Sequence, residues 1–179
     1  RPEFAAQAAD RLQLPREWLE ADGLGGFASG AVDAVTITTP PETRRELVLQ
    51  AIAAGLHVIA DKPFAPDASS ARDLDLAARA AGVTLGVYQN RRWDSDLQTL
   101  IGDGRLGKVW RVHSRMDFDD PATLEAGPTG GLLRDLGSHL VDQMLFLFGP
   151  VTTVSGHLDN ITLLQGTTDA SFHISIAHA

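Results

Sequence analysis

The chain has 179 residues, 15 Lys+Arg against 23 Asp+Glu for a formal charge of −8, and no cysteine. That length buries a real core in one domain or two small ones, while the acidic balance argues against nucleic acid or an anionic membrane as the main partner. Lack of cysteine excludes a disulfide framework, a thiolate metal site and a cysteine nucleophile; with no apolar stretch of membrane-spanning length and no signal-peptide pattern, a cytoplasmic location is expected.

Phe4 to Leu12 shows alanine-rich helical periodicity, and Glu17 to Leu19 continues as a short helical or irregular piece. Gly23-Leu24-Gly25-Gly26-Phe27-Ala28 has the letters of a dinucleotide-binding fingerprint, but that motif needs a strand before it and a helix after it, so it reads as a flexible loop. Val32 to Thr38 is β-branched and strand-like, and Thr39-Pro40-Pro41 suits an exit into a helix with proline in its first turn. That helix is Glu42 to Ala54, closed by Gly55; His57 to Ala60 is the next strand. A helix capped by Asp67 or Ser69 runs to Ala81 and Gly82, before the strand-like Val83 to Tyr88. Strands alternating with helices over short connections predict a partial Rossmann-type, doubly wound parallel sheet.

After Asn90-Arg91-Arg92-Trp93-Asp94 and a helix stopping near Gly102 the grammar changes. Trp110 to Met116 reads as a strand, Asp119 to Gly131 as a Gly/Pro-rich loop, and Leu132 to Phe148 as a helix ended by Gly149-Pro150. Val151 to Leu158 and Thr168 to His178 then read as strands with no helix between them. An incomplete α+β domain with a largely antiparallel sheet is therefore expected over 105–179, after a Rossmann-type domain over 1–104.

Two stretches carry chemistry. His57-Val58-Ile59-Ala60-Asp61-Lys62-Pro63-Phe64 ends an apolar strand in a lysine, and strand carboxyl ends are where open parallel sheets bind small molecules. Lys62 either reaches solvent and pairs with Asp61 or, held by apolar neighbours, polarises a substrate hydroxyl or carbonyl. In Asp135-Leu136-Gly137-Ser138-His139-Leu140-Val141-Asp142 the spacing sets Asp135, His139 and Asp142 along one helical face. The pair Asp135 and His139 is either a helix-face contact or a carboxylate beside a general acid/base; D-x-x-x-H-x-x-D also offers metal ligands, but no further histidine stands at ligand spacing and no metal is expected. The remaining histidines read as structural, and Asn90 to Asp94 reads as a pocket for a ribose or nicotinamide.

Val32 to Pro41, Ala54-Gly55-Leu56-His57-Val58, Asp61-Lys62-Pro63 and Gly130 to His139 together closely resemble, in order and spacing, the Gfo/Idh/MocA oxidoreductase family, and Asn90 to Asp94 is similar to its branch of scyllo-inositol dehydrogenase-like and other sugar dehydrogenases. The resemblance implies an NAD- or NADP-dependent dehydrogenase acting on a hydroxyl-bearing carbon of a sugar or polyol. It implies Lys62, Asp135 and His139 as the catalytic group, with His139 the acid/base, and Thr38, Thr39, Pro40, Asp61, Lys62, Asn90 and Trp93 at the cofactor. It also implies a homo-oligomer formed through the C-terminal sheet. Asp61 departs from the family's usual glutamate, and Arg44 stands where many members have histidine, so that position carries nothing over. The phosphate-binding loop and the first strand are not in this sequence, which is expected to be part of a longer protein. A non-catalytic NAD(P)- or sugar-binding regulator on the same fold is the alternative; retention of lysine, aspartate and histidine together favours the enzyme.

Overall fold

Glycines placed just past helices decide how the first half of the chain turns back into its strands. The computed structural model describes residues 2–13, 24–28, 30–102, 104, 106–117, 119, 124 and 130–179. They divide into two compact units, one of 1–60 with 67–86 and one of 61–66 with 87–179. In chain order come α1 (Pro2–Leu12), α2 (Leu24–Ala28), β1 (Ala34–Ile37), α3 (Pro41–Ala53), β2 (His57–Asp61), α4 (Ala68–Ala81) and β3 (Leu85–Tyr88).

α3 begins at proline, whose missing N–H costs nothing in a first turn. It ends in paired bonds from Leu56 N to Ala51 O (3.0 Å) and from Gly55 N to Ile52 O (2.9 Å), with Gly55 at φ 79°. α4 closes the same way through Val83 N to Ala78 O and Gly82 N to Arg79 O. Both are the left-handed closure that glycine adopts at least cost. At the other end of α4, Asp67 accepts from Ser70 N at 2.8 Å and Ser69 Oγ at 2.6 Å, and these bonds, the Ser69 one foremost, hold its carboxyl at about 2.

The strands form a three-stranded sheet in the order β1-β2-β3. β1 and β2 pair in parallel from Ala34 opposite His57 to Ile37 opposite Ala60, and Val58 N donates to Thr84 O on the other side at 2.8 Å. His57 is structural here, its Nδ1 accepting from Thr84 N. Ile37, Val58 and Ala60 bury one face against Val48, Ala51, Ile52, Leu74 and Ala78 of the helices, whereas Ile59, of opposite parity on β2, is 47% exposed.

The second unit holds a 3-10 turn (Asn90–Trp93), α5 (Ser95–Gly102), a π turn (Leu133–Gly137), α6 (Ser138–Phe148) and the hairpin β4 (Val151–Leu163) with β5 (Gly166–His178). A parallel α/β sheet followed by an antiparallel sheet is thus the architecture. Three local expectations are corrected. Gly23 to Ala28 is not simply a loop, since Leu24–Ala28 makes one helical turn, although no strand precedes it among the described residues. Trp110 to Met116 joins no ladder among the described residues; β5 pairs only with β4 there, and a segment without a partner does not register as a strand. Both hairpin strands run longer than their alternation suggests, because Leu164 and Gln165 turn the chain without the usual Asn-Gly or Asp-Gly signal. The helical piece at Glu17 to Leu19 and most of the loop at Asp119 to Gly131 lie outside the described residues.

Candidate active site

Lys62 follows the last residue of β2, and the Lys62–Pro63 peptide is cis. The lysine does not pair with its neighbour. Asp61 Oδ1 accepts from the Lys62 backbone N–H at 2.8 Å, while the ammonium pairs with the Asp135 carboxylate and donates to the Asp135 carbonyl at 3.0 Å. The Lys62 side chain is 17% exposed and that of Asp135 52%, so one member is fixed inside the site and the other remains open to a ligand.

Asp135 and His139 lie in one continuous helical run that Gly149 ends, with Gly149 N bonded to Leu145 O. Its start is wider than an α-helix: Leu133–Gly137 is a π turn, and Asp135 and His139 straddle the junction with α6. Gly137 at φ −63° and Ser138 at φ −56° stay helical, so no break separates them. π turns inside helices recur where a side chain must be re-aimed for function. Here the Asp135 carbonyl accepts from both Lys62 Nζ and Ser138 Oγ.

His139 is 5% exposed, and its Nδ1 is buried with no partner among the described residues. Burial first, then the charges of Lys62 and Arg91, push its pKa below the ordinary 6.5, against the opposing pull of Asp135 and Asp94. A neutral imidazole with an unsatisfied nitrogen is a ready proton acceptor at physiological pH. Arg91 and Asp94, which pair with each other at 3.2 Å, are neighbours of His139 that sequence reasoning did not single out as such. Their charge signs were visible; only the fold brings them near.

Asp142, the third acid of the helical face, is engaged elsewhere. Arg92 donates to it in bidentate fashion, Nε to Oδ2 at 2.7 Å and Nη2 to Oδ1 at 2.6 Å, while stacking its guanidinium over Phe146. Gln143 Nε2 donates to Arg91 O at 3.0 Å. These bonds bind the 3-10 turn to α6 and occupy both Asp142 carboxylate oxygens; no group of three or more His, Asp or Glu that could hold a metal occurs among the described residues. Within that turn Asn90 is exposed and Trp93 is 74% exposed, an open aromatic surface. Thr38, Thr39 and Pro40 follow β1 in the first unit, where Thr43 Oγ1 lies 2.9 Å from both Thr39 Oγ1 and Pro40 O. The structure therefore gathers Lys62, Asp135 and His139 in the second unit, with Asn90 and Trp93 on the same unit and Thr38 to Pro40 on the other.

The model of the oxidoreductase family with an NAD-binding Rossmann fold matches residues 2–89, and the model of the GFO/IDH/MocA C-terminal domain matches residues 95–179. The chain belongs to the Gfo/Idh/MocA oxidoreductase family. It is 37% identical over 160 residues to the uncharacterized oxidoreductase YdgJ of Escherichia coli, covering 85% of this chain and 46% of that protein. Against scyllo-inositol 2-dehydrogenase (NADP(+)) IolW of Bacillus subtilis it is 36% identical over 136 residues, 72% of this chain and 38% of that one. An Agrobacterium radiobacter oxidoreductase solved with NAD+, L-tartaric acid and magnesium superposes with a TM-score of 0.83 at 26% identity, over 99% of this chain and 53% of that one. The chain thus spans less than half the length of these curated relatives.

Proposed function

We propose that this chain carries the reacting centre of an NAD(P)-dependent dehydrogenase that moves a hydride between NAD(P) and a hydroxyl-bearing carbon of a sugar, cyclitol or related polyol. The observation that carries the reading is the meeting of Lys62, Asp135 and a buried, neutral His139 with an unpartnered nitrogen. His139 takes the hydroxyl proton. The Lys62 ammonium faces the oxygen on which negative charge develops, and Asp135 orients that ammonium while offering its exposed side to neighbouring hydroxyls. A nicotinamide, when bound, supplies a hydride acceptor. Thr38, Thr39 and Pro40 after β1, Asp61 and Lys62 at the end of β2, and Asn90 and Trp93 after β3 are the residues that would hold it, all at strand carboxyl ends as ligand binding on such sheets requires. The open Trp93 face fits that assignment.

The test is absorbance of reduced cofactor when the full-length protein meets NAD+ or NADP+ and a panel of polyols and sugars; binding without turnover on every member would favour a regulator. The same reading includes a cytoplasmic enzyme that self-associates through its C-terminal sheet, to which the β4–β5 hairpin belongs. Light scattering on the full-length protein should give a multiple of the protomer mass, and a monomer would remove that element.

The protonation of His139 gives a pH prediction. A base depressed below 6.5 stays proton-free until the pH falls under that value, so the acid limb of kcat/KM for alcohol oxidation lies below pH 6.5. The stability sign agrees. Below 6.5 the unfolded histidine takes up a proton that the folded one refuses, so stability is lost as pH drops from 6.5 toward the folded value. An acid limb above pH 6.5 would mean that another group is titrating.

A further inference from the structure

We infer that Asp169 is a positioning residue for this site: reaching across from β5, its carboxylate takes the Leu133 amide at the mouth of the π turn and so sets where Asp135 stands relative to Lys62 and His139. The inference rests on the dehydrogenase reading above. Asp169 Oδ2 accepts from Leu133 N at 2.6 Å. The carboxylate fills a space made for it, since a Cβ on Gly131 would lie 2.0 Å from Asp169 Oδ1 and 3.0 Å from its Cγ. Gly131 also sits at φ +106°, where L side chains are strained. One helical step on, Asp135 N donates to Gly131 O at 3.1 Å. Cradle, capped amide and Asp135 are therefore one rigid unit.

A bulge brings Asp169 to that place. On β5, Phe172 packs toward the helix, its Cζ 3.1 Å from where a Gly137 Cβ would be, while Ser171 points to the other face and donates to Asp159 Oδ2. Strict alternation would send Asp169 with Ser171, away from the helix. The register runs from Asp159 opposite Ser171 to Asn160 opposite Asp169, leaving Ala170 as the extra residue. One inserted residue reverses the facing of everything beyond it, and it puts the carboxylate on the helix side. A carboxylate is the right group for this spot, because the first N–H groups of a helix have no partner of their own and carry partial positive charge.

The experiment compares Asp169→Ala, Asp169→Asn and His139→Ala in the full-length protein, reading kcat, KM for cofactor and substrate, and amide hydrogen exchange over 131–137. Asp169→Ala should lower kcat roughly 10–100-fold, the scale of a small misplacement of reacting groups, with cofactor KM unchanged and faster exchange in that segment. Asp169→Asn, which keeps an accepting oxygen, should recover most of both. Wild-type kcat in Asp169→Ala beside an impaired His139→Ala overturns the inference alone, as does unchanged exchange. Equal losses in the Ala and Asn variants also overturn it, since they mark a fold defect. Wild-type turnover in His139→Ala overturns the acid/base assignment on which the inference rests, and absence of turnover in the unmutated protein on every polyol overturns the dehydrogenase reading itself.

Discussion

His139→Ala in the full-length protein lowers kcat by roughly 10²–10⁴-fold, the range for loss of a positioned acid/base, and leaves cofactor affinity nearly unchanged. The expectation rests on a division of labour: His139 offers a buried, unpartnered nitrogen in the helix that begins at the π turn, whereas the residues assigned to the cofactor lie at the ends of β1, β2 and β3. Because the ring is 5% exposed, truncation also opens a hole, and a second variant separates packing from chemistry. His139→Gln fills most of the space and cannot serve as a base near neutral pH, so it should be as slow as alanine while melting closer to wild type. Steady-state kinetics with cofactor titration and a thermal melt decide. Turnover preserved in both variants would make His139 a core residue and assign the proton transfer to another group.

Much of this site was legible from the residues. A lysine after an apolar strand and an aspartate and histidine at i and i+4 are local patterns, and local patterns survive in a sequence. The partner of Lys62 was not legible, because Asp61 is adjacent in the chain while Asp135 is brought in by the fold. Asp142 shows the same limit. Its spacing on the helix suggested a shared face with His139, yet which acid is free depends on Arg92, held on a turn far away in sequence. Asp169 was hidden for a different reason. The alternation that marks β5 as a strand assigns it to the wrong face, and a one-residue bulge has no fixed sequence signature to warn of the reversal. The π turn was likewise invisible, since its residues carry the same helical periodicity as the α-helix they precede.

Lys62→Met lowers kcat by roughly 10²–10³-fold, the loss expected when one preorganised donor to a developing oxyanion is removed, and it moves the pH profile in a defined direction. The Lys62 charge is the foremost electrostatic cause of the low His139 pKa, so removing it lets that pKa rise toward 6.5 and shifts the acid limb of kcat/KM to higher pH. Asp135→Asn acts oppositely, because its carboxylate favours the protonated ring, and its limb moves to lower pH. Stability should change little with Lys62→Met: Asp135 is 52% exposed and is rehydrated when its partner leaves, and methionine keeps the apolar stem that the lysine packs there. The opposed shifts are the discriminating result. A general loss of folding would depress activity at every pH in both variants without separating their acid limbs, whereas charges acting on His139 must move them apart. If Lys62→Met keeps wild-type kcat, or if its limb moves down with that of Asp135→Asn, the lysine does not face the reacting oxygen and the proton-transfer assignment fails at its first member.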